Sequence, residues 1–195
     1  MEKLIQKIVE KQIEYKTIKL EDINVYVYGY TLLFEVVINV IIALIIGILS
    51  GNLILICLFL CNYIPLRSFC GGWHADKLWK CTIYSNISLI IVIFLCKYII
   101  YVFTYKVIII VFGGCVCFIL SCTPMDTDAK RITVDDKRKY KKSIIIIVII
   151  HSVIIGIAYV ARWRDTAFII MCVYVLQMIL LIPGVIKRFI RTKAK

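Results

Sequence analysis

The chain has 195 residues, 62% of them hydrophobic, and a formal net charge of +12. Its length would suit one soluble domain, but soluble domains run nearer ~45–50% apolar, and here the apolar residues form long blocks with the charges collected between them rather than short amphipathic periods. A charge of +12 on a soluble protein would suggest nucleic acid; here the basic residues flank apolar spans, where they set topology and meet anionic lipid, so no nucleic-acid partner is expected.

Residues 1–27 are too charged for a cleavable signal peptide. Leu4, Ile5, Ile8, Val9 and Ile13 recur at helical spacing among Lys3, Lys7, Glu10, Lys11 and Glu14, the pattern of an amphipathic helix lying on a membrane surface. Six membrane segments follow, at about 30–50, 53–66, 83–103, 107–122, 143–160 and 166–186, most near the ~17–25 residues that cross the hydrocarbon. Tyr26, Tyr28 and Tyr30 fit an interfacial aromatic belt at the mouth of the first, and Gly51-Asn52 is a tight turn into the second. The second is short enough to be re-entrant, but charge argues that it crosses: 20 Lys and Arg fall on one side and only Lys97, Lys106, Arg162 and Arg164 on the other. The expected fold is an all-α membrane protein of a single domain, an interfacial helix plus six transmembrane helices, with both termini cytoplasmic. Two of its cytoplasmic loops, 67–81 and the basic 123–142, face the same side.

Nine cysteines, an odd number without a CxxC pair and mostly inside apolar spans, argue against a disulfide framework. The chemistry concentrates in 67–81, after Pro65, which is expected to end the second span: Arg67-Ser-Phe-Cys-Gly-Gly-Trp-His-Ala-Asp-Lys-Leu-Trp-Lys-Cys81. Cys81 stands at the mouth of the third span, where a helix N-terminus together with Arg67, Lys77 and Lys80 would favour a thiolate. His74, one of two histidines, could take the thiol proton, and Gly71-Gly72 would let the chain fold the imidazole back. A straight helix through 74 and 81 would hold them about 10.5 Å apart, so a dyad requires a bend between Gly71 and Lys80. The residues alone leave two other readings open. Cys70, His74 and Cys81 could ligate zinc, although no fourth ligand is evident, or both residues could be structural.

Arg67-x4-Gly72-x-His74-x6-Cys81, after two spans and before a third, resembles the accessory gene regulator B (AgrB) family of membrane cysteine peptidases in bacterial quorum sensing. Tyr28-Gly29-x5-Glu35 and the Thr123-Pro124-x-Asp126 turn before a basic stretch support the resemblance, which extends over essentially the whole chain. It implies a bacterial cell-membrane enzyme with its active site facing the cytoplasm, needing no cofactor or metal and acting as a homodimer. Such an enzyme cuts the C-terminal tail from an AgrD-like propeptide, whose remainder is cyclised to a thiolactone or lactone. It assigns Cys81 as nucleophile and His74 as general base, then acid, with Arg67 and Gly72 in support. Arg67 would bind a carboxylate, stabilise the oxyanion or anchor the topology.

Lys130, Arg131, Lys137, Arg138, Lys139, Lys141 and Lys142 are candidates for attracting an acidic propeptide tail, alongside lipid contact and topology. Glu35 and Asn39, one turn apart in the first span, are functional candidates because a carboxylate is costly in hydrocarbon; an interhelical hydrogen bond would also explain them. His151 in the fifth span is expected to bond across helices. The competing class of function is a small peptide transporter or exporter, whose marks would be inverted repeats and several polar groups at the bilayer midplane.

Overall fold

The structure is a computed structural model that describes residues 2–15, 18, 23–71, 78–125 and 133–193. Its described residues are helical between short turns and contain no strand. This follows from the solvent. Hydrocarbon offers no partner for main-chain N–H and C=O groups, so each long apolar block must bond within itself.

Helix α1 spans Glu2–Glu14 and is followed by α2, Ile23–Ser50. The segment expected to form an interfacial helix, 1–27, thus contains the whole of α1 and the first residues of α2. Part of the apolar stripe of α1 is covered by protein: Ile5 and Val9 are buried, α1 packs on α2, and Gln12 Nε2 donates to the Tyr30 hydroxyl at 2.6 Å. At the other end of α2 the Gly51 N–H bonds to Ile48 O (3.2 Å) and the Asn52 N–H to Gly47 O (2.9 Å), with Gly51 at φ +67°. These paired bonds with a left-handed glycine close the helix and reverse the chain, as Gly51-Asn52 suggested.

Helix α3 runs Leu53–Cys70, straight through Pro65, so the second span does not end at the proline. Pro65 removes one main-chain donor, but the helix resumes beyond it, and the Gly71 N–H still bonds to Arg67 O (3.2 Å). Its 18 residues rise about 27 Å, close to the thickness of the hydrocarbon. A consequence is that Arg67 and Cys70 stand on the last turn of a helix rather than in a loop.

Helix α4, Leu78–Phe94, continues through a π-helical turn at Leu95–Ile99 and a 3₁₀ turn at Ile100–Val102. Helix α5 is Tyr105–Cys122, α6 Val134–Val160 and α7 Arg164–Lys193. Because α6 starts at Val134, the basic residues from Lys137 to Lys142 lie on helical turns and not in the loop expected over 123–142. Thr133 caps this helix, its hydroxyl accepting from the Asp136 N–H at 3.2 Å.

Among the described residues, six helices are long and apolar enough to cross a membrane, over Gly29–Ser50, Leu53–Cys70, Thr82–Val102, Tyr105–Cys122, Asp135–Val160 and Arg164–Lys187. They make the chain a multi-pass membrane protein. Helix α7 is its axis: 44% of an apolar 18-residue stretch of it is buried against 17% in α2, and every residue from Ala167 to Tyr174 is buried. Helices α3, α5 and α6 pack around α7, with α2 against α3 and α4. His151 on α6 bonds across to α7, its Nδ1 lying 3.1 Å from the Tyr174 hydroxyl. Ile48, Leu49, Ile54, Ile110 and Val160 are exposed, as side chains facing lipid tails should be.

Candidate active site

Three cross-links gather the end of α3, the end of α5 and the start of α6 at one end of the bundle. The Met125 N–H donates to Cys70 O (3.2 Å), the Phe69 and Tyr140 rings meet edge to face at 5.9 Å, and the Lys141 ammonium donates to the carbonyls of Leu120 and Thr123. The start of α4, following the short 72–77 connection, belongs to the same end. Arg67 on the last turn of α3, Lys80 on the first turn of α4 and the basic residues from Lys137 to Lys142 on α6 stand at this end.

The best-defined part is the point where α3 hands the chain to residues 72–77. Gly71 leaves the helix with φ +70° and ψ −154°, a backbone state essentially confined to glycine. Its carbonyl accepts from Arg67 Nη1 at 2.8 Å and from Gln177 Nε2 on α7 at 3.0 Å. A Cβ at this position would lie 3.1 Å from Met125 O. The departure direction of the chain is thus fixed by α3, α7 and the Thr123-Pro124-Met125 turn together. Positive φ at Gly71 agrees with the expected bend; Gly72, His74, Asp76 and Lys77 lie outside the described residues.

Cys81 falls in the first turn of α4, where main-chain N–H groups have no partner within the helix and the positive end of its dipole lies. The helix that carries Cys81 starts at Leu78, eight residues beyond the end of α3 at Cys70. The Cys81 side chain, like the whole of His74, is outside what is described, so the imidazole–thiol distance is not part of this geometry. Cys70, one of the two thiols of the zinc reading, is buried at the foot of this turn, and the described residues contain no cluster of three metal-ligating groups.

Of the basic candidates, Lys130 and Arg131 lie outside the described residues. Lys141 caps the C-terminus of α5, a structural task that unpaired helix carbonyls reward. Lys139 approaches Asp136 at 4.0 Å. Arg138 and Lys142 are exposed, and Lys137 is half-buried.

Glu35 and Asn39 on α2 line a cavity of about 140 Å³ shared with Arg67 and Ser68 of α3 and with Tyr84 and Asn86 of α4. Asn86 Nδ2 donates to Asn39 Oδ1 at 3.3 Å, which supplies the interhelical bond expected of Asn39. Glu35, only 9% exposed, makes no such bond among the described residues. A larger hollow of about 530 Å³, lined by Tyr105, Tyr159, Val160, Arg162 and Arg164, opens at the opposite end of the bundle, away from Cys81.

Gln177 and Met125 were not among the candidates. Gln177 reads as one polar residue in an apolar helix, and Met125 as part of a turn; only their long-range contacts to Gly71 and Cys70 reveal the role. The family model for accessory gene regulator B matches residues 1–183 of the chain. No curated protein and no solved structure matches it.

Proposed function

The chain belongs to the accessory gene regulator B family, and from that premise we propose that it is the membrane cysteine endopeptidase that processes an AgrD-like quorum-sensing propeptide. Membership supports a role in the accessory gene regulator autoinducer system and implies the AgrD-like propeptide as partner. The observation that carries the enzymatic reading is the position of Cys81 in the first turn of α4, immediately after the segment that Gly71 launches. A helix N-terminus stabilises negative charge, which a thiolate nucleophile needs and a structural cysteine does not.

In this reading His74 takes the proton of Cys81, and the sulfur attacks the carbonyl of the scissile peptide bond. The tetrahedral intermediate collapses as the C–N bond breaks, the departing tail takes the proton back from His74, and the propeptide is left as a thioester on Cys81. A Cys or Ser of the bound peptide then attacks the thioester carbonyl, closing a thiolactone or lactone and returning the thiol of Cys81. The thioester retains the acyl-transfer energy that ring closure needs, provided water is kept out. Arg67 acts by holding the Gly71 carbonyl, and so the course of the segment, rather than as an oxyanion donor; its last-turn position and 2.8 Å bond support this. Positive charge at the end bearing Cys81 supports a cytoplasmic site and contact with anionic lipid. Action as a homodimer belongs to the same proposal.

The test is cleavage of a synthetic AgrD-like propeptide by the full chain reconstituted in anionic vesicles. The wild type should release the tail and form a covalent adduct visible by intact mass, and Cys81→Ser and His74→Ala should do neither. Tail release at the wild-type rate by Cys81→Ser would overturn the proposal, and so would vectorial peptide transport without cleavage.

A further inference from the structure

We infer that the Glu35 cavity is a substrate subsite, taking one apolar side chain of the peptide beside the scissile bond while Glu35 accepts a hydrogen bond from a peptide N–H. The inference rests on the peptidase reading and adds a determinant of which peptide is cut.

Glu35 is more than nine-tenths buried in a membrane span and lines the cavity, yet no described group donates to it. A carboxylate at membrane depth calls for a donor, and one can reach it through the cavity it lines. Among the described residues it is not half of an interhelical pair, since the neighbouring amides serve each other: Asn86 Nδ2 reaches Asn39 Oδ1 at 3.3 Å and Thr82 O at 2.7 Å. The remaining wall is mostly apolar, with Ala43, Phe59, Leu89 and Leu180 among its residues. At about 140 Å³ it is the size of a single side chain; an engineered apolar cavity of about 150 Å³ holds one benzene.

Location ties the cavity to the reaction. Arg67 and Ser68 line it from the last turn of α3, one turn before Gly71. Tyr84 and Ser85 line it from α4, about one turn beyond Cys81. It therefore lies beneath both ends of the segment that would carry the dyad. A lipid tail would suit the apolar wall but leave Glu35 without a donor, and water would satisfy Glu35 but not the wall. A peptide residue satisfies both.

The experiment uses the reconstituted full chain with a synthetic AgrD-like propeptide and two variants, Glu35→Gln and Ala43→Leu. Glu35→Gln keeps the shape and removes the charge, and Ala43→Leu grows into the cavity. Each should raise KM about tenfold, the worth of one charge-assisted bond or one excluded side chain, with kcat changed less than about threefold. Truncating the peptide residues flanking the cut, one at a time, should identify one whose shortening abolishes the Ala43→Leu defect. If Ala43→Leu does not fold, Ala43→Val and Glu35→Gln carry the measurement. Unchanged KM in the folded variants, with the wild type cleaving, would overturn the subsite and assign the cavity to water or a lipid tail. Propeptide binding to the same variants in a Cys81→Ser background separates this from failure of the peptidase reading. If the wild type does not cleave yet Glu35→Gln weakens binding, the subsite stands and the chemistry falls.

Discussion

Replacing Gly71 by Ala perturbs the site at the point where the structure constrains it most. At φ +70° and ψ −154° the residue occupies a region that costs a residue with a Cβ about 1–3 kcal/mol. Crowding adds to this. The new Cβ would meet Met125 O at 3.1 Å, and that oxygen belongs to a main chain already tied to Cys70 O through the Met125 N–H at 3.2 Å. If the peptide rotates to escape, the Gly71 carbonyl loses its bonds from Arg67 and Gln177, worth together about 2–4 kcal/mol. The cheaper route sets the cost, so about 2–3 kcal/mol is expected, spent mainly on redirecting residues 72–77. Gly114→Ala is the control, because a Cβ there meets nothing within 4 Å. In the reconstituted cleavage assay Gly71→Ala should lose at least tenfold in kcat/KM, since about 1.4 kcal/mol of misplacement is a factor of ten. Thermal unfolding in detergent should fall only a few degrees. A Gly71→Ala chain that cleaves and melts like the Gly114→Ala control would refute the idea that this turn aims the catalytic segment.

Other expectations follow from the same geometry. Lys141→Met should lower thermal stability by about 1–3 kcal/mol, because it strips the donor from the Leu120 and Thr123 carbonyls, whereas Lys142→Met on the exposed side should change it by less than ~0.5 kcal/mol; equal melting temperatures would rule out the capping role. Neutralising Arg138, Lys139 and Lys142 together should raise KM for an acidic propeptide at low salt and lose that effect as salt rises, since screening acts over roughly 8 Å at physiological ionic strength; a salt-independent change in kcat would contradict substrate steering. Cys70→Ser should leave most cleavage activity, as this thiol is buried on the last turn of α3; loss as complete as that of Cys81→Ser would revive the zinc reading.

Much of the architecture was written in the order of the residues. Hydrocarbon demands internally bonded segments of a set length, so the six spans could be placed from apolar blocks and basic flanks, and Gly51-Asn52 from local turn chemistry. The family was also legible locally, because the spacing Arg67-x4-Gly72-x-His74-x6-Cys81 carries the resemblance that the match over 1–183 bears out. What sequence could not supply was every fact that depends on which helix stands beside which. Pro65 looked like a stop, yet helical bonding resumes after it and carries α3 to Cys70. Lys141 looked like its basic neighbours until its amine was found on the end of α5. Gln177 and Met125 gained meaning only from Gly71 and Cys70, 106 residues from Gln177 in the one case and far along the chain in the other. Glu35 and Asn39, one turn apart and equivalent on paper, were separated by a single neighbour: Asn86 stands where it bonds Asn39, while Glu35 lines the cavity with no donor among the described residues. Local bonding decides where helices form, and only their packing decides which polar groups are satisfied and which are left for a ligand.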